Sequence, residues 1–87
     1  MYYVYWLISE DSKKTYVGFS GDVNKRIREH RNKNVTSTER FGKFRAYILD
    51  KTFNPTLVRK KEKYWKSAAG RKKLKIIYNE IITGPIV

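Results

Sequence analysis

The spacing of apolar residues along this chain changes several times, and each change marks an element. From Tyr2 to Ile8 the run YYVYWLI is mostly aromatic and β-branched with no polar interruption, as in a central strand buried on both faces. The polar stretch SEDSKK interrupts it before TYVGF resumes the strand pattern, so residues 2–19 predict a β-hairpin. Asp22 then follows Ser20-Gly21 in a position to cap a helix through its side-chain oxygen. Val23 and Ile27 fall four apart on the inward side of that helix, with Arg26 and His30 four apart beside them, and the spacing predicts a helix over about 22–32.

Residues 33–42, KNVTSTERFG, have no apolar period and predict a polar loop whose Ser, Thr, Lys and Arg side chains face phosphates or water. In KFRAYILDKT, Phe44, Ala46 and Ile48 alternate with Lys43, Arg45 and Tyr47 until Leu49 breaks the pattern, which predicts a third strand. Asn54-Pro55 supplies a cap and a first-turn proline. Leu57, Val58, Lys61, Tyr64, Trp65 and Ala68 then recur at helical spacing over about 55–68. Gly70 is expected to punctuate that helix, and RKKLKIIYNEI to form a last short one. The order β-β-α-β-α, with an extra C-terminal helix, implies one α+β domain over residues 1–87, a small sheet covered by helices.

The chain is strongly basic. Twenty Lys and Arg stand against eight Asp and Glu, a net charge of +12, which favours a polyanionic partner, nucleic acid first, without separating DNA from RNA or an anionic membrane surface. There is no cysteine, which excludes disulfides and thiolate metal sites, and a cytoplasmic location is expected. The run YYVYWLI is too short to span a bilayer and meets Glu10 and Asp11 directly, so no membrane association is expected.

Five residues are candidates for chemistry. Tyr5 and Tyr16, if opposite one another in the hairpin, share a face that Gly18 leaves open to a ligand or to backbone; tyrosine is also an ordinary strand residue. Arg26 offers a planar fork of donors suited to phosphate, and His30 offers a proton acceptor near neutral pH; a basic helix also carries such residues as solvated decoration. Glu62 is the only acid between Arg59 and Lys75, amid nine Lys and Arg, and sits at the edge of its helix's apolar stripe. It reads either as a metal ligand or as the i, i+4 partner of Lys66. One isolated carboxylate argues against a two-metal centre. Trp6 and Trp65 have apolar flanks and are expected in the core rather than stacked on bases.

Taken in order, Tyr3-Val4-Tyr5, Tyr16-Val17-Gly18, Asp22-x-x-Lys25-Arg26-x-x-x-His30 and Arg59-Lys60-Lys61-Glu62-Lys63 resemble the GIY-YIG nuclease superfamily over residues 2–75. The resemblance is closer to small members similar to the N-terminal nuclease domain of the DNA-repair excinuclease C. It implies a three-stranded antiparallel sheet flanked by helices and a metal-dependent endonuclease that hydrolyses phosphodiesters, usually of DNA, in repair or recombination. Tyr5 and Tyr16 would then be the motif tyrosines, Arg26 the phosphate-binding arginine, His30 the helix residue near the attacking water, and Glu62 the ligand of a single Mg²⁺ or Mn²⁺. Tyr16, helped by Tyr5 or His30, would accept the water's proton. Lys25, Arg28, Arg31, Arg40, Lys61 and Lys63 are the cations expected on the nucleic-acid backbone. Tyr3 stands where the family name has glycine, and Asn79 is left out of the site. A protein partner for targeting is also compatible with the chain. The alternative is a non-catalytic nucleic-acid-binding module within a larger assembly.

Overall fold

A computed structural model describes residues 1–10 and 14–83. Three antiparallel strands, β1 (Tyr2–Ser9), β2 (Thr15–Ser20) and β3 (Phe44–Thr52), form one sheet in the order β2-β1-β3. The uninterrupted apolar run therefore becomes the middle strand, and Val4 through Ile8 are all buried. Residues 11–13, the centre of the expected hairpin turn, lie outside the described residues.

The sheet is covered on both faces. Helix α1 (Val23–Arg31) lies on one, where Val23 and Ile27 pack with Tyr5, Leu7, Phe41 and Phe44. On the other, helices α2 (Pro55–Lys66) and α3 (Ala68–Thr83) bring Val58, Trp65 and Leu74 against Val4, Trp6, Ile8 and Val17. Val58 is fully buried, a side chain whose removal from water contributes on the order of 1.5–3 kcal/mol. Both tryptophans belong to this core, Trp6 buried and Trp65 half-buried. Among the described residues no helix is long and apolar enough to cross a membrane.

The expected caps are present. The Asp22 carboxylate accepts from the Lys25 N–H at 3.1 Å, and the Asn54 side chain accepts from the N–H groups of Thr56 and Leu57. The pattern break at Leu49 is a β-bulge: Val4 pairs with Asp50 but Tyr5 with Ile48, leaving Leu49 as the extra residue, packed with the α2/α3 side of the core.

Two expectations require correction. Residues 33–42 are not simply a polar loop, because Val35, Thr38 and Phe41 are buried around a short 3₁₀ helix, Thr36–Thr38, and the Phe41 carbonyl accepts from the Ser9 hydroxyl at 2.6 Å. Nor does Gly70 mark a stop. The break falls at Ser67, whose extended backbone ends α2 and whose hydroxyl accepts from the Gly70 N–H as α3 begins. Gly70 lies in the first turn of α3, pressed on the end of α2, where a Cβ would collide with the Tyr64 carbonyl oxygen and the Trp65 Cα. With that turn included, α3 extends over 16 residues instead of forming a short terminal piece.

Candidate active site

The hairpin register sets the face on which the tyrosines meet. Tyr5 stands opposite Gly18 and Tyr16 opposite Leu7, so the two tyrosines are diagonal neighbours on one face rather than directly opposed as the sequence suggested. Their ring centroids are 6.2 Å apart, tilted by 37°. Gly18 makes this arrangement possible: a Cβ at that position would lie 2.6 Å from the Tyr5 oxygen and 2.9 Å from a ring carbon of Tyr16. The glycine is thus a seat for the Tyr5 phenol, and its openness is already used within the protein.

His30, in the last turn of α1, closes the group from the helix side and is only 1% exposed. Its ring centroid lies 5.5 Å from that of Tyr5 and 5.1 Å from that of Tyr16. Nε2 is 2.8 Å from the Tyr5 oxygen and Nδ1 is 2.6 Å from Oγ1 of Thr38. A neutral imidazole has one donor and one acceptor nitrogen, so the two bonds are coupled. The Thr38 hydroxyl donates to the Val35 carbonyl at 3.5 Å, which leaves its oxygen to accept from His30 Nδ1–H and assigns Nε2 as the acceptor of the Tyr5 O–H. Proton order then runs from Tyr5 through His30 to Thr38.

The electrostatics agree with that order. Burial, reinforced by the neighbouring Tyr16, pushes the Tyr5 phenol up to about 12, against the opposing pull of Arg26. Burial and then Arg26 lower His30 below its ordinary 6.5, with Glu29 acting in the other direction. Tyr5 is therefore a neutral donor and His30 a neutral acceptor at physiological pH. Arg26 lies beside the Tyr5 phenol, whose hydrogen bond raises the guanidinium pKa further, and its side chain is 36% exposed with Glu29 at 3.6 Å. Its partial exposure leaves the guanidinium accessible to an anion.

Glu62 approaches from the opposite face of the sheet. It is 18% exposed on α2, at the edge of the apolar stripe, and pairs with Lys66 at 3.5 Å. The Lys66 ammonium in turn stands 5.8 Å from the centroid of the Tyr16 ring. Because β2 is an edge strand, Tyr16 is the residue where the α1 side and the α2 side of the sheet meet. Tyr5, Tyr16, Arg26 and His30 are thus brought together directly, and Glu62 joins them through Lys66.

Among the described residues no group of three or more His, Asp or Glu gathers as a metal cage. A lone half-buried carboxylate at the margin of the tyrosine cluster still fits Mg²⁺, which commonly binds through one or two carboxylates, with substrate phosphate and water completing its shell.

The expected backbone-binding cations are distributed over both faces. Lys25, Arg28 and Arg31 are exposed on α1, with the Arg31 guanidinium 4.7 Å from the Phe44 ring centroid, and Arg40 is exposed just past the 3₁₀ helix. Lys63 is exposed on α2, whereas Lys61 is half-buried and bound to Asp50 at 3.2 Å. Two participants were not singled out from the sequence. Thr38 lay in a segment without apolar period, where the flanking Val35 and Phe41 were the available signal of burial. Lys66 was considered only as a partner for Glu62.

Comparison with protein families matches residues 1–75 to the GIY-YIG catalytic domain, while no curated protein and no solved structure matches the chain. That match takes in Tyr5, Tyr16, Arg26, His30 and Glu62, and the sheet and helices described above are those of its fold. The protein belongs to the GIY-YIG family, a family of nucleases acting on DNA.

Proposed function

We propose that the protein is a metal-dependent endonuclease of DNA, working in repair or recombination in the cytoplasm, with Tyr5, Tyr16, Arg26, His30 and Glu62 as its catalytic set. The observation that carries this reading is the buried hydrogen-bond chain from Tyr5 through His30 to Thr38 packed against Tyr16, with an arginine on one side and a carboxylate on the other. Burying three polar side chains in so small a core costs stability unless they are mutually satisfied, and here they are.

Phosphodiester hydrolysis needs a water relieved of its proton and donors for the charge that develops on phosphorus-bound oxygens. Tyr5, held protonated, donates to His30 and fixes the floor of the site. Tyr16, the half-buried member of the pair, would accept the water's proton at its oxygen as the phenolate, becoming the neutral phenol. Arg26 binds and neutralises the phosphate through its fork of donors. Glu62 would hold one Mg²⁺ or Mn²⁺, which when bound supplies Lewis-acid stabilisation of the phosphate and leaving oxygen. The exposed cations Lys25, Arg28, Arg31, Arg40 and Lys63 hold the backbone without reading bases, so affinity falls steeply with salt.

The competing reading is a nucleic-acid-binding module without cleavage, and one observation favours it: the Glu62 carboxylate is already paired with Lys66. Purified protein incubated with plasmid and with labelled linear, flapped and branched DNAs, with and without Mg²⁺ or Mn²⁺, separates the two. Metal-dependent nicking that Glu62→Gln abolishes supports the enzyme. Salt-sensitive binding with no nicking by either protein supports the module.

A further inference from the structure

Tyr16 also borders an open cleft of about 530 Å³, between the β2 edge of the sheet and helices α2 and α3. Its volume lies within the range of roughly 300–1,000 Å³ found for small-molecule sites. Two chemistries line it. Tyr16, Trp65 and Tyr78, all half-buried, contribute aromatic surface over a floor that includes Trp6. Lys66, Arg71 and Lys75 contribute charge, and the lining includes no acidic residue among the described residues.

Arg71 and Lys75 are exposed and lie four apart on α3, where like charges repel unless an anion joins them. A group offering a flat apolar face and an attached anion meets both conditions.

We infer that this cleft binds one unpaired nucleotide of the strand being cut, its base against Trp65 and Tyr78 and its phosphate on Arg71 and Lys75. The inference rests on the nuclease reading above and narrows its substrate class. In continuous duplex both faces of each base are occupied by stacking, so DNA with an unpaired segment beside the scissile phosphate, such as a flap or overhang, fills the cleft without the unstacking cost of flipping a base from duplex.

The test is fluorescence anisotropy in EDTA, comparing a labelled duplex bearing a single-stranded extension with a blunt duplex carrying the same number of phosphates. The wild type should prefer the extended DNA by about tenfold, and the extension alone should quench tryptophan fluorescence. Tyr78→Leu should remove the preference while changing blunt-duplex affinity less than about twofold. Arg71→Ala/Lys75→Ala, two exposed positions that leave the core intact, should weaken extended DNA more than blunt. Equal affinity of the wild type for both DNAs, or a preference that survives both variants, overturns the inference and leaves the nuclease reading standing. Quenching by polyglutamate equal to that by the extension reassigns the cleft to an acidic peptide. Failure to bind either DNA overturns both readings.

Discussion

The Tyr5 phenol and the His30 imidazole, 25 residues apart in the chain, meet at 2.8 Å beneath the candidate site as hydrogen-bond donor and acceptor. Tyr5 can donate because burial keeps its proton on, and His30 can accept because burial keeps its proton off.

The first consequence is alkaline. A phenol held at about 12 in the folded chain and near 10 in the unfolded one favours folding at every pH below 10. That contribution is lost as the pH rises from 10 to 12. Spectrophotometric titration of the seven tyrosines should show a late component that is missing in Tyr5→Phe. A Tyr5→Phe titration curve identical in shape to that of the wild type would refute the assignment.

The acid side runs the other way. His30 has a folded pKa below its ordinary 6.5, so the unfolded chain takes up the proton first. The stability that neutral His30 contributes is complete above pH 6.5 and is lost as the pH falls through 6.5 toward the lowered folded value. Urea midpoints measured from pH 8 to 5 should decline in the wild type and decline less in His30→Gln. NMR titration of the single imidazole should give a midpoint below 6.5.

Thr38 supports the imidazole rather than touching substrate. Thr38→Val leaves the buried Nδ1–H of His30 without its acceptor, at a cost of about 1–3 kcal/mol in stability. It should also slow nicking by freeing His30 to change tautomer, whereas Thr38→Ser should recover most of both losses. If Thr38→Val lowers stability but leaves the pH profile of cleavage unchanged, its role is structural only.

How far the sequence exposed this architecture depended on whether a residue's surroundings were local. Strands and helices were legible because the period of Val, Ile, Phe and Tyr is a local property. Asp22 and Asn54 were legible as caps because they bond within their own turn. Even the bulge left a trace, as the broken alternation at Leu49. Glu62 stood out through its isolation among cations, a property of composition alone. What failed was long-range: the diagonal rather than opposed tyrosines, the burial of His30 and Thr38, and the close approach of α3 that turns Gly70 from a stop into a contact. Gly18 was noticed for the openness it would give, but the space it frees is filled by the Tyr5 ring, which only the register reveals.

Glu62 is proposed to belong to a cleaving site rather than to a helix-surface ion pair. Rates of plasmid nicking in Mg²⁺ and in Mn²⁺ for the wild type, Glu62→Gln and Lys66→Gln, alongside their urea midpoints, decide it most directly. An i, i+4 helix pair contributes only about 0.3–0.5 kcal/mol, so all three proteins should fold with similar stability. Nicking should require the metal and fall by at least about a hundredfold in Glu62→Gln, on the scale of losing a metal ligand's several kcal/mol of transition-state stabilisation. Metal-dependent nicking by Glu62→Gln at the wild-type rate would contradict it.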